Sequence, residues 1–287
     1  MTSRDILPAP IRAWLHDNEI GDFQATALTG GDINDTYAVF VSGVARFCVK
    51  YNHDCPSDFF VAEAKGLNAI ANCKTLRTPW VLHVADSFLV LEYIQTGHKS
   101  KNYWQHCAAS LAGMHRQPQP RFGFSIDNYC GHTPQPNPQY DNGYQFFREQ
   151  RILYQACIAF DRNYLSKSEL ATIEYFANTL EQLIPPQAPA LLHGDLWYGN
   201  IMTDNDGEPV IIDPAAYWGW PEADLAMTSL FGGVPAEFYQ HYTSINALEP
   251  DWRQRFDIYN VYHLLNHLNL FGGAYHSQVM KIVRRYS

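Results

Sequence analysis

The chain has 287 residues, 46% of them apolar, which is enough for a large core built as one domain or two coupled lobes. The net charge is −9 and the pI about 5.7, with no long run of Lys or Arg, so we expect no nucleic-acid partner. No stretch approaches the roughly 20 apolar residues of a membrane helix, and the first residues lack the pattern of a secretion signal. Six scattered cysteines without a C-x-x-C pair favour a reduced, cytoplasmic protein with neither a disulfide framework nor a zinc site.

In chain order, a short helix is predicted over residues 8–19, where apolar side chains recur at helical spacing. Short runs rich in β-branched and aromatic residues follow, and they predict antiparallel strands at FQATAL, TYAVFV, ARFCVKY, WVLHVA and FLVLEYI. Between the third and fourth of these runs, PSDFFVAEAKGLNAIANC has helical spacing, with Ser57 or Asp58 as its expected N-cap.

After QTGHKS the pattern becomes mostly helical, with helices predicted at YWQHCAASLAGMHR, over 144–162, over 166–184 and through the last third. Segment 117–143 is rich in Pro, Gly and Asn and is long for a connector, so we expect a structured loop there. The chain is therefore predicted to form a small antiparallel-sheet lobe, 1–94, and a larger helical lobe, 95–287, with a ligand cleft between them.

Three oxygen-bearing side chains follow one another closely in the second half of the chain. Asp195 and Asn200 stand in LLHGDLWYGN, and Asp213 ends the apolar run PVII, which follows the turn-like DNDGE. A loop and a short hairpin would bring these three groups together. Phosphoryl transfer needs a base for the acceptor hydroxyl and hard oxygen ligands for Mg²⁺. We therefore expect ATP and Mg²⁺ as cofactors, Asp195 as the base, and Asn200 and Asp213 as metal ligands.

The predicted sheet lobe supplies the other parts of such a site. Lys50 ends the strand ARFCVK, and Glu63 lies in the helix that follows. In kinase-like folds a strand lysine contacts the nucleotide phosphates and a helix glutamate holds that lysine in place. Lys50 and Glu63 are thus predicted to position the phosphates.

Two backbone segments are also expected to contact the nucleotide. Gly30 and Gly31, in the turn TGGDIND, let backbone N–H groups approach phosphate. Glu92, Tyr93 and Ile94 end the last predicted strand, where their backbone could meet an adenine edge.

This ordered set resembles the protein-kinase-like superfamily, on the branch of the aminoglycoside and choline phosphotransferases. Within it the sequence is similar to the fructosamine kinase (ketosamine 3-kinase) family. The blocks that carry this likeness are FGFSIDNYCGHTPQPN, LLHGDLWYGNIM, IIDPAAYWGWPEADLAMTSLFGG and YHLLNHLNLFGGAY, which with the sheet lobe cover nearly the whole chain. The resemblance implies an α+β, two-lobed kinase-like fold. It also implies ATP-dependent phosphorylation of the sugar 3-hydroxyl of ketosamines, small or protein-linked, which are products of amine glycation.

The glycine turn departs from the patterns that the resemblance implies. It is not a full G-x-G-x-x-G motif. Some members of the family carry a cysteine in this loop that can link subunits, whereas this chain has Gly30, Gly31, Asp32 and Ile33. Redox switching through this loop is therefore not expected.

Other interpretations stay open on the sequence alone. The same chemistry could serve an aminoglycoside, choline or a sugar, and a non-catalytic nucleotide-binding protein could keep the fold. The presence of every expected catalytic group argues against the latter. A protein kinase is disfavoured because no A-P-E-like anchor follows IIDP.

Several aromatic and histidine residues near these motifs have two interpretations. Trp197, Trp218 and His267 could wall a sugar pocket, although aromatic residues in such groups more often belong to the core. His263 and His267 stand at i, i+4, but without a third ligand we expect a helix packed beneath the cleft, not a metal site. Asp224 is predicted to anchor the backbone of the catalytic loop.

Overall fold

The computed structural model describes residues 6–29 and 33–287. Helix α1 (Ala9–Asp17) leads into an antiparallel sheet. The strands of this sheet are β1 (Phe23–Leu28), β2 (Asp35–Val41), β3 (Val44–Tyr51), β4 (Val81–Val84) and β5 (Phe88–Glu92), in the order β1-β2-β3-β5-β4. All five predicted strands are confirmed.

The sheet is covered on both faces, which explains the alternation of its side chains. Val49 and Val90, paired across β3 and β5, lie in one core with Leu15 of α1. On the opposite face Leu89 and Leu91 pack with helix α2 (Phe59–Asn72). Since successive strand residues point to opposite faces, Lys50, which follows Val49 in β3, points to the face that α2 covers.

The prediction of the N-cap of α2 is only partly correct. Asp58 occupies the N-cap position, but its side chain makes no capping hydrogen bond to the first turn. Its carboxylate instead accepts a hydrogen bond of 2.7 Å from Tyr129 Oη, a contact from a distant part of the chain. A tertiary partner has thus replaced the local one.

The rest of the described chain is mainly helical, as predicted. Its helices are α3 (Tyr103–His115), α4 (Gly143–Phe147), a π-helical stretch (Arg148–Leu153), α5 (Tyr154–Asp161), α6 (Lys167–Asn178), α7 (Leu180–Leu183), α8 (Pro221–Met227), α9 (Ala236–Ile245), α10 (Phe256–Phe271) and α11 (His276–Arg285). None of the helices in the described ranges is both long and apolar enough to span a bilayer. The longest of them, α10, is buried along most of its length in the core of this region.

Short hairpins between these helices build the site. Strands β6 (Asn128–Cys130) and β7 (Thr133–Gln135) pair within the predicted structured loop. Strand β9 (Ile201–Thr203) pairs with β10 (Pro209–Ile211), which confirms the expected hairpin before Asp213. Strand β8 (Ala190–Leu192) pairs with β11 (Tyr217–Gly219), which the sequence pattern does not reveal because β11 has only three residues.

The sheet and the helical region are tied together along one edge by the β9–β10 hairpin. Ile211 N–H donates to the carbonyl of Arg77 at 2.9 Å. In the connector after β5, the Gly97 N–H donates to the carbonyl of Thr203 at 3.3 Å. The Ser100 N–H donates to the carbonyl of Gly207 at 3.0 Å. These bonds fix the edge of the cleft at which the base and the metal-ligand candidates emerge.

Candidate active site

A cleft of about 420 Å³ lies between the sheet and the helical region. Backbone and side chains from both sides contribute to its wall, as the sequence predicts. The predicted site residues that line it are Lys50, Glu63, Asp195, Trp197, Asn200, Asp213 and His267.

The loop that carries Asp195 is held from behind by a buried carboxylate. Asp224, at the start of α8, accepts hydrogen bonds from the backbone N–H groups of His193 at 2.7 Å and Gly194 at 2.9 Å. Gly194 has φ +82°, and a Cβ there would lie 2.0 Å from the carbonyl oxygen of Ala215, so only glycine fits. The predicted anchoring role of Asp224 is confirmed.

Asp195 is presented from this loop into the cleft. Asn200 Nδ2 donates to the backbone carbonyl of Asp195 at 2.8 Å and lies 3.4 Å from its Oδ2. Burial, followed by the negative charges of Asp213 and Asp224, raises the pKa of Asp195 to about 7. A carboxyl group with a pKa near neutrality suits a general base that must accept a hydroxyl proton.

Lys50 bridges two carboxylates across the cleft. Its Nζ donates to Glu63 Oε1 on α2 and to Asp213 Oδ1 at 2.5 Å. The lysine is only 7% exposed. Burial alone would lower the pKa of Lys50, but the charges of Asp213 and Glu63 raise it above its ordinary value. The ammonium group therefore stays charged and faces the cleft.

Asp213 and Asn200 form an oxygen-rich edge opposite the lysine. Asp213 follows β10 in a left-handed backbone conformation, φ 57°, which turns its carboxylate into the cleft. The N–H of the preceding Ile212 donates to the carbonyl of Asn200 at 3.1 Å, so the two segments are coupled. The amide nitrogen of Asn200 donates to Asp195, so its side-chain oxygen could serve as a metal ligand. This carboxylate and amide set fits Mg²⁺.

The expected adenine-binding segment at the end of β5 is partly occupied by sheet contacts. The Glu92 N–H donates to the backbone carbonyl of Trp80 at 2.9 Å, and the Tyr93 N–H donates to the backbone carbonyl of Arg46 at 3.1 Å. The Glu92 carboxylate pairs with Arg77 at 2.8 Å. Those N–H groups are unavailable to a nucleotide, which narrows the predicted contact to carbonyl oxygens and to Ile94. None of Glu92, Tyr93 and Ile94 lines the 420 Å³ cleft.

The predicted glycine turn cannot be compared with the structure. Gly30 and Gly31 lie outside the described residues. The residues that follow, Ile33 and Asn34, line the cleft near Lys50. The predicted contact of this turn with the nucleotide phosphates therefore stays a prediction.

The three candidate pocket residues differ in their placement. Trp197, 36% exposed, and His267 both line the cleft, and the His267 ring lies 4.4 Å from that of Phe231. Trp218 does not line it. Pairing of β11 with β8 turns Trp218 towards Phe124, at a ring distance of 5.6 Å, so it supports the loop 122–124 and not the pocket.

Sequence reasoning missed other residues of the site. Cys130, Asn266 and Phe271 also line the cleft. His263 was expected on a helix beneath the cleft, but its closeness to Asp195 was not: its Nδ1 lies 4.0 Å from Asp195 Oδ1. The i, i+4 spacing in NHLNLF was the available signal for α10, but nothing local indicated that the β6–β7 hairpin would meet it.

Contacts of a lysine with the loop that follows Asp195 were also missed. Lys99, in the connector after β5, donates to Tyr198 Oη at 3.1 Å. The Lys99 ammonium also lies 4.3 Å from the ring centre of Trp104 and 4.8 Å from that of Tyr103. This cluster ties the connector to the segment between Asp195 and Asn200.

Known proteins with similar sequences are kinases by name. The profile of the fructosamine kinase family matches residues 11–287. A "Probable ketoamine kinase" from Synechocystis sp. is 42% identical over 264 residues, which cover 90% of this chain and 88% of that protein. A chloroplastic protein-ribulosamine 3-kinase from Arabidopsis thaliana is 34% identical over 292 residues, which cover 96% and 87%.

Solved structures of other proteins also have a similar fold. A candidate fructosamine-3-kinase from Thermobifida fusca has a TM-score of 0.83 and 31% identity, covering 91% of this chain and 92% of that one. The gentamicin complex of APH(2")-IIa has a TM-score of 0.65 at 17% identity, covering 98% and 96%. At that identity the likeness shows the fold alone. The predicted two-lobed kinase-like fold is confirmed.

Proposed function

The chain belongs to the fructosamine kinase family, and from this premise we propose that it is a ketosamine kinase that uses ATP and Mg²⁺. The acceptor is the sugar 3-hydroxyl of a ribulosamine or fructosamine. The observation that carries the proposal is the convergence of Lys50, Glu63, Asp195, Asn200 and Asp213 on one cleft.

The acceptor side of the reaction rests on Asp195. Its carboxylate accepts the proton of the attacking hydroxyl as the oxygen–phosphorus bond forms. The pKa of about 7 supports this role, because the group can take up a proton near neutral pH. The bonds from His193 and Gly194 to Asp224 hold the loop, and hence the base, in a fixed position.

The phosphate side rests on Lys50 and the two oxygen ligands. The ammonium of Lys50, oriented by Glu63, contacts the phosphates of the nucleotide. Asn200 and Asp213 would hold Mg²⁺, which when bound neutralises the charge of the triphosphate. Trp197 and His267, which line the cleft, would face the sugar of the acceptor.

The proposal is tested by ATP consumption with a panel of ribulosamines, fructosamines, choline and aminoglycosides. We expect turnover with ketosamines and a product that NMR shows to be phosphorylated at the sugar 3-hydroxyl. The control is Asp195→Asn, whose turnover should fall by about 10²- to 10⁴-fold with every acceptor that the native chain phosphorylates. Turnover of choline or an aminoglycoside without any ketosamine turnover would overturn the substrate assignment, and no turnover with any acceptor would overturn the activity.

A further inference from the structure

A cluster at the floor of the cleft has more metal-binding capacity than phosphoryl transfer requires. Cys130 ends β6, His263 lies on α10 and Asp195 lies on the catalytic loop, so three separate elements meet there. The thiol sulfur, one imidazole nitrogen and one carboxylate oxygen all lie within 4.8 Å of one another. This set is chemically distinct from the oxygen-only edge formed by Asn200 and Asp213.

The histidine of this cluster has an unused ligand atom. His263 is 4% exposed, and its Nδ1 is buried without a hydrogen-bond partner among the described residues. The nearest carboxylate oxygen, Asp195 Oδ1, is 4.0 Å away, too far for a hydrogen bond. Most buried polar atoms are paired, so an unpartnered nitrogen 4.0 Å from a carboxylate oxygen, in a cluster that also contains a thiol, points to a ligand.

The geometry is close to that of a tetrahedral metal site. Zinc bonds sulfur at about 2.3 Å and nitrogen or oxygen at about 2.0–2.2 Å, which places tetrahedral ligand atoms about 3.5 Å apart. The three ligand atoms lie within 4.8 Å of one another, so each would have to move by about 1 Å or less to reach this spacing. Cys130 and Asp195 both line the open cleft, so an ion has access.

The ligand set also selects the kind of ion. Thiolate and imidazole favour zinc, cobalt and similar ions over Mg²⁺, which prefers six oxygen ligands. A Mg²⁺ ion on Asn200 and Asp213 and a softer ion on Cys130 and His263 would therefore not compete for the same ligands. They would share only the neighbourhood of Asp195.

We propose that Cys130, Asp195 and His263 form an inhibitory binding site for a zinc-class divalent transition-metal ion. The ion displaces the thiol proton of Cys130 to solvent and leaves its fourth position open to the cleft. Once coordinated, the carboxylate of Asp195 can no longer accept a hydroxyl proton. The inhibitory effect rests on the proposed function, whereas the binding of the ion does not.

Binding is tested with Co²⁺ added to the full chain, followed by the absorption band of a cobalt–thiolate bond. We expect the band to saturate at one equivalent. Cys130→Ser should abolish it and weaken Co²⁺ binding by at least about tenfold, the lower end of what disturbing a metal site costs. The control is Cys157→Ser, since Cys157 is exposed on α5 and outside the cluster. A band that survives in Cys130→Ser, or disappears in Cys157→Ser, would overturn the site.

A second measurement needs no variant. X-ray absorption of the zinc-loaded native chain should show one sulfur ligand and an imidazole, and a shell of oxygen ligands alone would overturn the proposal.

Inhibition is tested by zinc titration of the kinase reaction at saturating Mg²⁺. We expect His263→Gln to raise the zinc concentration for half-inhibition by at least about tenfold. An unchanged zinc response would overturn the inhibitory role. A chain that binds cobalt through Cys130 but phosphorylates no acceptor would refute the proposed function and leave the metal site standing.

Discussion

The proposed phosphate side of the cleft, at Lys50, and its proposed acceptor side, at Asp195, are held by different kinds of contact. Lys50 is fixed by two charged side chains, Glu63 and Asp213, which themselves face the cleft. The loop of Asp195 is fixed through backbone N–H groups that bond to Asp224, a residue that does not line the cleft.

This difference has a functional meaning. Ion pairs inside the cleft can exchange partners when a charged nucleotide binds, because phosphates compete for the same ammonium group. Backbone hydrogen bonds behind the loop are out of reach of any ligand. We therefore expect nucleotide binding to reorganise the phosphate side and to leave the acceptor side in place.

The largest effect is expected from Asp195→Asn. Loss of the general base should lower kcat by about 10²- to 10⁴-fold. The affinity for ATP should stay nearly unchanged, because the phosphate side is held independently. Steady-state kinetics and a nucleotide-binding titration check this. A kcat close to that of the native chain would remove Asp195 from the base role.

Lys50→Met should damage the phosphate side and the fold together. It leaves Glu63 and Asp213 without their shared cation. Removing one partner of a buried ion pair such as Lys50–Glu63 destabilises proteins by about 3–5 kcal/mol, while the half-exposed Asp213 adds little because solvent screens it. ATP affinity should also fall. Denaturant unfolding and nucleotide titration measure the two effects. Glu63→Gln is the milder companion, since the lysine keeps Asp213. If Glu63→Gln lost as much stability and ATP affinity as Lys50→Met, the shared-cation arrangement would be refuted.

Asp224→Asn should affect the acceptor side alone. The amide keeps one acceptor oxygen and loses the other, so one loop N–H loses its partner, at a cost of about 1–3 kcal/mol. We expect kcat to fall while ATP affinity holds. The matched control is Glu222→Gln, also buried on α8 but paired with Arg255. It should destabilise the fold without changing the kcat of the folded chain, and equal losses of kcat would contradict the comparison.

The contribution of Asp224 should also depend on pH. Burial alone would raise the pKa of Asp224, but the hydrogen bond and charge of His115, with other contacts, lower it below its ordinary value. Its stabilising effect is therefore complete above the unfolded-state pKa of about 4 and is lost as pH falls through the lower folded-state pKa. Unfolding curves of the native chain and Asp224→Asn should converge on acidification. If the difference in stability between the two chains grew at low pH, the predicted direction of the pH dependence would be wrong.

The smallest effect is expected from Lys99→Ala. The variant loses the hydrogen bond to Tyr198 and the contacts with Trp104 and Tyr103, and exposed cation–π contacts are worth about 0.5–1 kcal/mol. We expect a modest loss of stability and of kcat. Lys101→Ala, exposed in the same connector, is the control. Equal behaviour of the two variants would show that the Lys99 contacts do not position the loop.

The sequence predicted what depends on local pattern. The sheet strands follow from alternation and β-branched residues, and Asp195, Asn200 and Asp213 were found because a loop and hairpin bring near neighbours together. The structure places these groups on one cleft, while their catalytic roles stay predictions.

Features that depend on distant pairing escaped prediction. Trp218 is a candidate for the pocket wall on the sequence alone, but the three-residue pairing of β11 with β8 turns it away from the cleft. Asp58 lost its capping role to Tyr129 for the same kind of reason. The approach of Cys130 to His263 joins segments far apart in sequence, and no local signal encodes it.

The contacts of the connector with the β9–β10 hairpin have a consequence for protein engineering. A Cβ at Gly207, φ +83°, would lie 2.8 Å from His98 O and Ser100 N, so this hairpin turn is covered by the connector. At Gly43, in the turn between β2 and β3, no atom lies within 4 Å of such a Cβ. A reporter peptide or affinity tag inserted into the chain therefore belongs at the Gly43 turn, whereas one at the Gly207 turn would push the connector off the hairpin.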